Sequence, residues 1–463
     1  MQGQKSDLNV KFDASSLYQL AQQMYNHMRS FGYQAVELPI IEPADLFLIK
    51  AGDQIVDKLF TFEHQGIQLA LRPEFTASAA YHYGEKYLDN PSVVRWQFSG
   101  YVFEDDPFAA NGRNQNFSIG AELIGMKDIV ADAEIIGMAA QGLAKQNIAD
   151  YRVTLGHVGL LRNALAYFQL DNRTEHFLLN HIPALKDSTL GRAYVIEEIS
   201  KLFLGGSNIP LETETQQIYG HMLETTRNDR VIGGRTHQDI SRRLFQKYRR
   251  SADRSQILLA VDFLVEWIQI MASPDAGFPA IKALLSDKGD YSDAILSDWE
   301  KLVGYLEAYG IPQSQIIIQP GIIRSWDYYS GIVFEIGVDG IHLGGGGRYD
   351  GLGKLLGAKE DMSAVGFAYY VDALLSLSQS AKTDHFDYLI VASQLSIPDA
   401  IQWASSLRDG GLNIQIIVDA SKYLADETAL LFIEMDGKIR YRGQSYGVDT
   451  PEKLINELKR NIQ

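Results

Sequence analysis

Apolar residues recur at helical spacing near the start of the chain. Within Ser15–Phe31 they are Leu17, Leu20, Ala21, Met24 and Met28. Serine precedes this run and Gly32 follows it, and both are typical boundary signals of a helix. The pattern predicts an amphipathic first helix.

An alternating pattern follows and indicates strands. Gln34–Ile41 places Val36, Leu38 and Ile40 on one face. Further strand-like segments are Phe60–Phe62, Ile67–Leu71, Val93–Phe103 and Asn116–Ile124. Short polar or glycine-containing connections favour antiparallel neighbours. Since Ile129–Gln146 returns to helical spacing, we expect a sheet covered by helices.

The rest of the chain changes its pattern twice. From about Asn172 to Ser314 the spacing is almost wholly helical, and strand patterns resume at Gln315–Gln319. The last eighty residues alternate as strand, helix, strand, strand, helix. We predict an α+β protein in four segments: the first part of an antiparallel-sheet domain (1–171), a mostly helical insertion (172–314), the second part of the sheet domain (315–380) and a small α/β domain (384–463).

Composition limits the function classes. The chain has 463 residues, 46% of them hydrophobic, and a single core rarely exceeds roughly 250 residues. It has no cysteine, which excludes disulfides and thiolate metal sites. Its net charge of −16 repels phosphate backbones. Arg235–Arg254 is the exception, with seven Lys/Arg against two Asp, and is either a solvated helix face or a docking patch for an acidic partner or RNA.

Several features are expected to be absent. The ten histidines show no metal-ligand spacing, so we expect no metal and no cofactor. No apolar stretch has the length and purity of a signal or membrane segment. We therefore expect a cytoplasmic protein without membrane contact.

Four stretches together carry a family resemblance. They are LRPEFTAS (Leu71–Ser78), Phe103–Gly125 with GAELIG, IRSWDYYSGIVFE (Ile323–Glu335) and Gly344–Ala368 with GGGGRYDGL. With FGYQAVELPIIEP (Phe31–Pro43), which is similar to a dimer-forming first motif, they resemble the class II histidyl-tRNA synthetase family over roughly residues 15–170 and 315–375. The resemblance implies a class II aminoacyl-tRNA synthetase-like antiparallel sheet, and the tail resembles an anticodon-binding domain.

The resemblance also implies an amino-acid pocket. Glu74 would hold the amino group, Glu122 with tyrosines would meet the imidazole, and Arg324 would supply a permanently charged donor. The implied set is Glu74, Thr76, Ser118, Glu122, Arg324, Tyr328, Tyr329 and Tyr349. Two alternatives stay open: Glu74 is only a helix cap or a partner of Arg72, and Glu122 is only a buried, paired carboxylate.

This chain departs from the family pattern at the residues that bind ATP. Where the second motif carries F-R-x-E, whose arginine clamps the α-phosphate of ATP, this chain has Glu104 followed by Asp105 and Asp106. Two unit charges about 4 Å apart interact by about 4 kcal/mol at an effective dielectric near 20, so an acid there opposes a phosphate. The adenine-stacking arginine of the third motif aligns with Ala373. The ATP site (Glu104, Asp106, Ala373) is therefore predicted to be degenerate, and Ser118 stands where the family has glutamine.

This combination resembles the regulatory subunits of ATP phosphoribosyltransferase, as does LGHVGLLRNAL (Leu155–Leu165). It implies a catalytically silent homodimer in histidine biosynthesis. Such a protein would bind histidine or a related small molecule and a short-form ATP phosphoribosyltransferase catalytic subunit, and no tRNA. The alternative is a histidyl-tRNA synthetase, or another ATP-dependent amino-acid-activating ligase with altered phosphate contacts. A scaffold with an empty relic pocket is a third reading.

Overall fold

The computed structural model describes residues 14–48, 58–87, 92–105, 114–204, 254–286, 288, 292–322, 324, 328–357, 362–377, 387–418, 430–447 and 451–462. Asp106 and all but the last residue of Arg235–Arg254 lie outside the described residues. The chain divides into two compact units, Met1–Ser378 and Gln379–Gln463. No helix in these described ranges is both long and apolar enough to span a bilayer.

An eight-stranded sheet forms the centre of the first unit. Its strands are β1 (Gln34–Ala35), β5 (Val94–Phe103), β6 (Gln115–Ile124), β7 (Arg152–His157), β8 (Ile316–Ile318), β9 (Ile332–Val338), β10 (Ile341–Arg348) and β11 (Ala364–Tyr370). They are ordered β1-β5-β6-β11-β10-β9-β7-β8. Only the outermost pairs, β1 with β5 and β7 with β8, are parallel in the described part. A smaller sheet of β2 (Ile41–Pro43), β3 (Thr61–His64) and β4 (Ile67–Leu71) has the order β2-β4-β3.

Helices cover the large sheet and extend from it. In chain order they are α1 (Ala14–Ser30), α2 (Asp45–Leu48), α3 (Thr76–Tyr87), α4 (Ile129–Lys145), α5 (Val158–Ala166), α6 (Asn172–Asn180), α7 (Ile182–Lys186), α8 (Gly191–Leu204), α9 (Arg254–Gln269), α10 (Pro274–Leu285), α11 (Ser292–Ala308), α12 (Leu352–Leu355) and α13 (Val371–Leu377). Apolar side chains of α1 and α4, with Met24 and Ile135 among them, are buried in one large core. The core continues to Trp267 and Trp299 of the helical segment, both fully buried.

The sequence expectation for this architecture is confirmed. The protein is α+β, with a mostly antiparallel sheet and flanking helices. The predicted strand Gln34–Ile41 is interrupted: its first two residues pair with β5 and its last residue, Ile41, pairs with β4 as the start of β2. Beyond Ala35, the Arg72 guanidinium donates hydrogen bonds to the carbonyls of Leu38 (2.6 Å) and Pro39 (3.3 Å). In a continuous strand these carbonyls would accept from a neighbouring strand.

Glycines allow the central strands of the large sheet to pack closely against their neighbours. Strand β10 lies between β9 and β11, with Gly345 opposite Glu335 and Gly346 opposite Phe367. A Cβ on Gly346 would meet the Gly366 carbonyl oxygen, and one on Gly345 would meet the Arg324 guanidinium and the Phe334 carbonyl oxygen. The glycine run therefore brings backbone to the place where Arg324 lies.

The second unit is a five-stranded sheet with two long helices. Its elements are β12 (Tyr388–Val391), α14 (Ile397–Asp409), β13 (Ile414–Ile417), β14 (Leu430–Ile433), β15 (Ile439–Tyr441), β16 (Gln444–Tyr446) and α15 (Pro451–Ile462). The order is β13-β12-β14-β15-β16. The sequence pattern indicated every element except β15 and β16, which form a hairpin across Arg442 and Gly443.

Candidate ligand-binding site

A cavity of about 400 Å³ opens on the large sheet where α3 begins. Its floor is formed by strands β5, β6, β10 and β11, and its wall by Arg324, Tyr328 and Tyr329. The predicted site residues that line it are Glu74, Thr76, Ser118, Arg324, Tyr328, Tyr329, Tyr349 and Glu104. Motifs separated by some 250 residues therefore meet at one place.

Glu74 lies at the start of α3. One carboxylate oxygen accepts the backbone N–H of Ala77 at 2.8 Å, and the other accepts that of Thr76. Glu74 therefore caps α3 and also lines the cavity. Arg72 points elsewhere, to carbonyls that include Tyr101 O at 2.9 Å. Burial raises the pKa of Glu74 to about 7, although both N–H donors act in the opposite direction.

Glu122 lies directly behind the cavity surface. It is 1% exposed, and its oxygens accept hydrogen bonds from the Thr76 hydroxyl (2.7 Å) and the Tyr349 hydroxyl (2.6 Å). Burial raises its pKa to about 8; the two hydroxyl donors oppose the shift and the neighbouring Glu74 adds to it. Thr76 and Tyr349 line the cavity, whereas Glu122 does not. Glu122 therefore orients two hydroxyl groups that a ligand can contact.

Three tyrosines form an aromatic wall. The ring centroid of Tyr328 is 4.8 Å from that of Tyr329 and 5.7 Å from that of Tyr349. Tyr328 and Tyr349 are buried, and Tyr329 is partly exposed. The first pair is tilted and the second is edge-on. An aromatic wall of this kind can pack against a flat heteroaromatic group and exclude water from charged neighbours.

Arg324 is the one cation among the described residues that line the cavity. Its side chain is 15% exposed, and its Nη1 lies 3.7 Å from a carboxylate oxygen of Glu335. Nη1 also donates to the Phe334 carbonyl and Nη2 to the Tyr370 hydroxyl, both at 3.4 Å. These contacts are long, so the guanidinium is available to an anionic group of a ligand.

The two parts of the predicted degenerate ATP site differ. Glu104 is half-buried and lines the cavity, on the strand end where the family's second motif carries arginine. Ala373 belongs to α13 and packs against the large core instead. Its neighbour Asp372 faces the cavity.

Sequence reasoning missed Glu335 and Asp372 as site residues. Glu335 is the last letter of the RSWDYYSGIVFE stretch and lies on β9, opposite Gly345. Asp372 stands next to the aligned Ala373. Proximity to recognised motifs was the available signal in both cases. With them, four carboxylate side chains and one guanidinium line the cavity in the described part of the chain.

Relatives of this chain carry two kinds of name. The histidyl-tRNA synthetase family model matches residues 10–195 and 264–374. A Chelativorans sp. protein named ATP phosphoribosyltransferase regulatory subunit is 30% identical over 360 residues, covering 74% of this chain and 92% of that protein. One of the same name from Mesorhizobium japonicum is 31% identical over 365 residues, covering 75% and 94%. A histidine–tRNA ligase from Methanococcus maripaludis is 25% identical over 394 residues, covering 84% and 79%.

Solved structures show the same fold. A Bacillus halodurans protein, described as an ATP phosphoribosyltransferase regulatory subunit/histidyl-tRNA synthetase, has a TM-score of 0.62 at 19% identity and covers 88% of this chain and 91% of its own. Histidyl-tRNA synthetase from Nostoc sp. has a TM-score of 0.66 at 16% identity and covers both chains completely. The predicted class II synthetase-like fold is thereby confirmed.

Proposed function

Because this chain belongs to the histidyl-tRNA synthetase family, we propose that it is a non-activating, regulatory member of that family. In this proposal it binds histidine or a related small molecule and assembles, as a homodimer, with a short-form ATP phosphoribosyltransferase catalytic subunit. Relatives of about 30% identity that carry the regulatory-subunit name support this role.

The observation that carries the proposal is the side chain of Glu104 in the cavity wall. Amino-acid activation develops negative charge on the α-phosphate, and catalysis requires donors directed at that charge. A carboxylate in this place disfavours both nucleotide binding and the transition state. Glu74, Thr76 and the tyrosine wall remain, and they suit a free amine with a flat ring.

The interaction with the transferase is tested by mixing the two purified proteins. We expect co-elution in size-exclusion chromatography and a transferase rate that changes when histidine is added. Occupancy of the cavity alters the rate only if it favours one of two states of the assembly. Separate elution together with an unchanged rate would remove the proposal.

Histidine affinity is expected to depend on pH through Glu74. Its carboxylate must be ionised to accept an ammonium group, and its pKa is raised to about 7 by burial. Binding energy from this contact is present above pH 7 and is lost as the pH falls, by about tenfold in affinity per pH unit. The measurement is the ratio of wild-type to Glu74→Gln affinity between pH 6 and 8, because titration of the ligand cancels in that ratio. A ratio independent of pH would exclude Glu74 as the titrating acceptor.

The second candidate is an amino-acid-activating ligase. The Methanococcus maripaludis histidine–tRNA ligase matches 84% of this chain, against 74% for the Chelativorans regulatory subunit, and Arg324 lines the cavity. ATP–pyrophosphate exchange distinguishes the two candidates. Robust histidine-dependent exchange would favour the ligase, and its absence favours the regulatory role.

A further inference from the structure

A histidine side chain caps the helix that follows strand β7. His157 ends β7 with extended backbone, and its imidazole Nδ1 accepts the backbone N–H of Leu160 at 3.0 Å. This hydrogen bond satisfies one of the N–H groups that the first turn of a helix leaves without an intrahelical partner. Serine, threonine, aspartate and asparagine are the residues usually found at such a position. Here the cap depends instead on one lone pair of an imidazole ring.

The surroundings of His157 keep that lone pair available. Burial lowers the pKa of His157 to about 4, and the positive charge of Arg348 acts in the same direction. The ring also packs beside Trp299 on α11, with 5.8 Å between the ring centroids. The imidazole is therefore neutral at neutral pH. Since Nδ1 accepts a hydrogen bond, the ring proton resides on Nε2.

The capped helix, α5, lies directly behind one wall of the ligand cavity. The backbone N–H of Val158, the first residue of α5, donates to the Gly331 carbonyl at 2.9 Å. The Val158 side chain lies in a small apolar cluster with Ile322 and Val333. Tyr329 packs against this cluster and also lines the cavity. The start of α5 is thus connected, through one apolar cluster, to an aromatic ring that a ligand can contact.

The start of α5 has little space in which to shift. A Cβ on Gly159 would lie 2.5 Å from the Ser330 carbonyl oxygen. The backbone N–H of Ser330 donates to the Arg348 carbonyl at 2.8 Å, and its hydroxyl accepts the N–H of Asp350 at 2.9 Å. Arg348 and Asp350 flank Tyr349 of the aromatic wall. The start of α5 therefore adjoins a hydrogen-bonded junction of the two chain segments that supply the wall.

We propose that His157 is a positioning residue for the ligand cavity, because its imidazole caps α5 and α5 holds Tyr329 in the aromatic wall. The inference rests on the proposed function, since it concerns the binding of histidine or a related small molecule in the same cavity. Without the cap, the N–H of Leu160 loses its acceptor and the first turn of α5 loosens, so the wall is formed in fewer molecules. The apparent affinity for the ligand falls in proportion to that fraction.

Two substitutions at this position test the inference. Asparagine is a preferred capping residue whose side-chain oxygen can accept the Leu160 N–H, whereas alanine has no acceptor. Calorimetry of the full chain at pH 8 measures histidine affinity. We expect His157→Ala to bind at least about threefold more weakly than the wild type, as loss of a cap of ordinary strength allows, and His157→Asn to stay within about twofold.

Hydrogen exchange of the ligand-free proteins provides a readout that does not depend on the ligand. His157→Ala should exchange faster than the wild type at two places, the first turn of α5 and the backbone amides of Ser330 and Gly331. His157→Asn should protect both places. Faster exchange confined to α5 would overturn the inference, because the cap would then act on its own helix alone.

A second helix cap provides the matched control. Asp171 accepts the backbone N–H groups of Arg173 and Thr174 at the start of α6, and it does not line the cavity. Asp171→Ala should lower the unfolding temperature about as much as His157→Ala does, but leave histidine affinity unchanged. An equal loss of affinity in Asp171→Ala would overturn the inference, because stability alone would then explain the effect.

The outcomes for the inference and for the proposed function are distinct. Wild-type affinity in His157→Ala, or weak binding by a folded His157→Asn, would overturn the inference and leave the proposed function standing. Failure of the wild-type protein to bind histidine would instead remove the ligand from the proposed function, and this inference with it.

Discussion

Replacing Arg348 by methionine is expected to lower the free energy of unfolding by about 3–5 kcal/mol. Arg348 ends β10 and donates from Nε to both carboxylate oxygens of Asp132, at 3.0 and 3.1 Å. Its other nitrogens reach the carbonyls of Met126 and Asp128 at 3.3 Å. Asp132 is fully buried in the first turn of α4. Methionine fills similar space but leaves that carboxylate without its cation, and urea unfolding measures the loss.

Two comparisons make this prediction specific to the buried charge. Arg192→Met removes an ion pair whose partners, Arg192 and Asp262, are each about half exposed, so it should cost no more than about 1 kcal/mol. The double variant Asp132→Leu/Arg348→Met removes both charges and should recover much of the loss. If Arg348→Met cost no more than Arg192→Met, the pair would not hold β10 and α4 together as the geometry indicates.

Long periodic segments are the part of the fold that could be predicted from the sequence. The strands expected at Val93–Phe103 and Asn116–Ile124 are observed within one residue of those bounds, and the first helix likewise. Their patterns extend over nine or more residues, which is long enough for the hydrophobic periodicity to indicate the element. The predicted strand Gln34–Ile41 is interrupted in its middle because the carbonyls of Leu38 and Pro39 accept from the side chain of Arg72, a contact that no local pattern reveals.

The hairpin of β15 and β16 shows a second limit. Its two central residues, Arg442 and Gly443, both have positive φ, at 46° and 83°. A two-residue turn of this kind is usually announced by Asn-Gly or Asp-Gly. Here arginine stands at the first position, so the usual Asn-Gly or Asp-Gly turn signal is absent. The two strands have three residues each, which is too short to show alternation.

The membership of the candidate site could be predicted better than its geometry. Eight of the predicted residues line the same cavity. Motif resemblance could not show that both oxygens of Glu122 are already engaged, because the identity of a carboxylate says nothing about which hydroxyls surround it. Nor could it show that Glu335 lies beside Arg324, since the β9–β10 register determines that contact. Which ligand these residues bind stays a prediction.

Replacing Glu74 by glutamine is expected to weaken binding of a ligand amine by at least about 30-fold at pH 8, which corresponds to about 2 kcal/mol. At that pH the wild-type carboxylate is ionised, since its pKa is about 7. Glutamine keeps nearly the same shape and one acceptor oxygen, but it has no charge to offset the ammonium group. The loss is larger than for a surface pair because Glu74 is partly buried, where the effective dielectric is lower than in water. Calorimetry with histidine and with histidinol measures it.

The capping role of Glu74 requires a control for stability. The carboxylate caps α3 through Thr76 and Ala77, and glutamine can accept from only one of these N–H groups at a time, so about 0.5–2 kcal/mol of stability is at risk. Glu85→Gln changes the same residue type on an exposed face of α3 and should change neither stability nor affinity. A folded Glu74→Gln protein that binds both ligands as tightly as the wild type would show that the ammonium group is held elsewhere. Lost affinity in a protein whose unfolding temperature is unchanged would instead assign Glu74 to the ligand as well as to the helix.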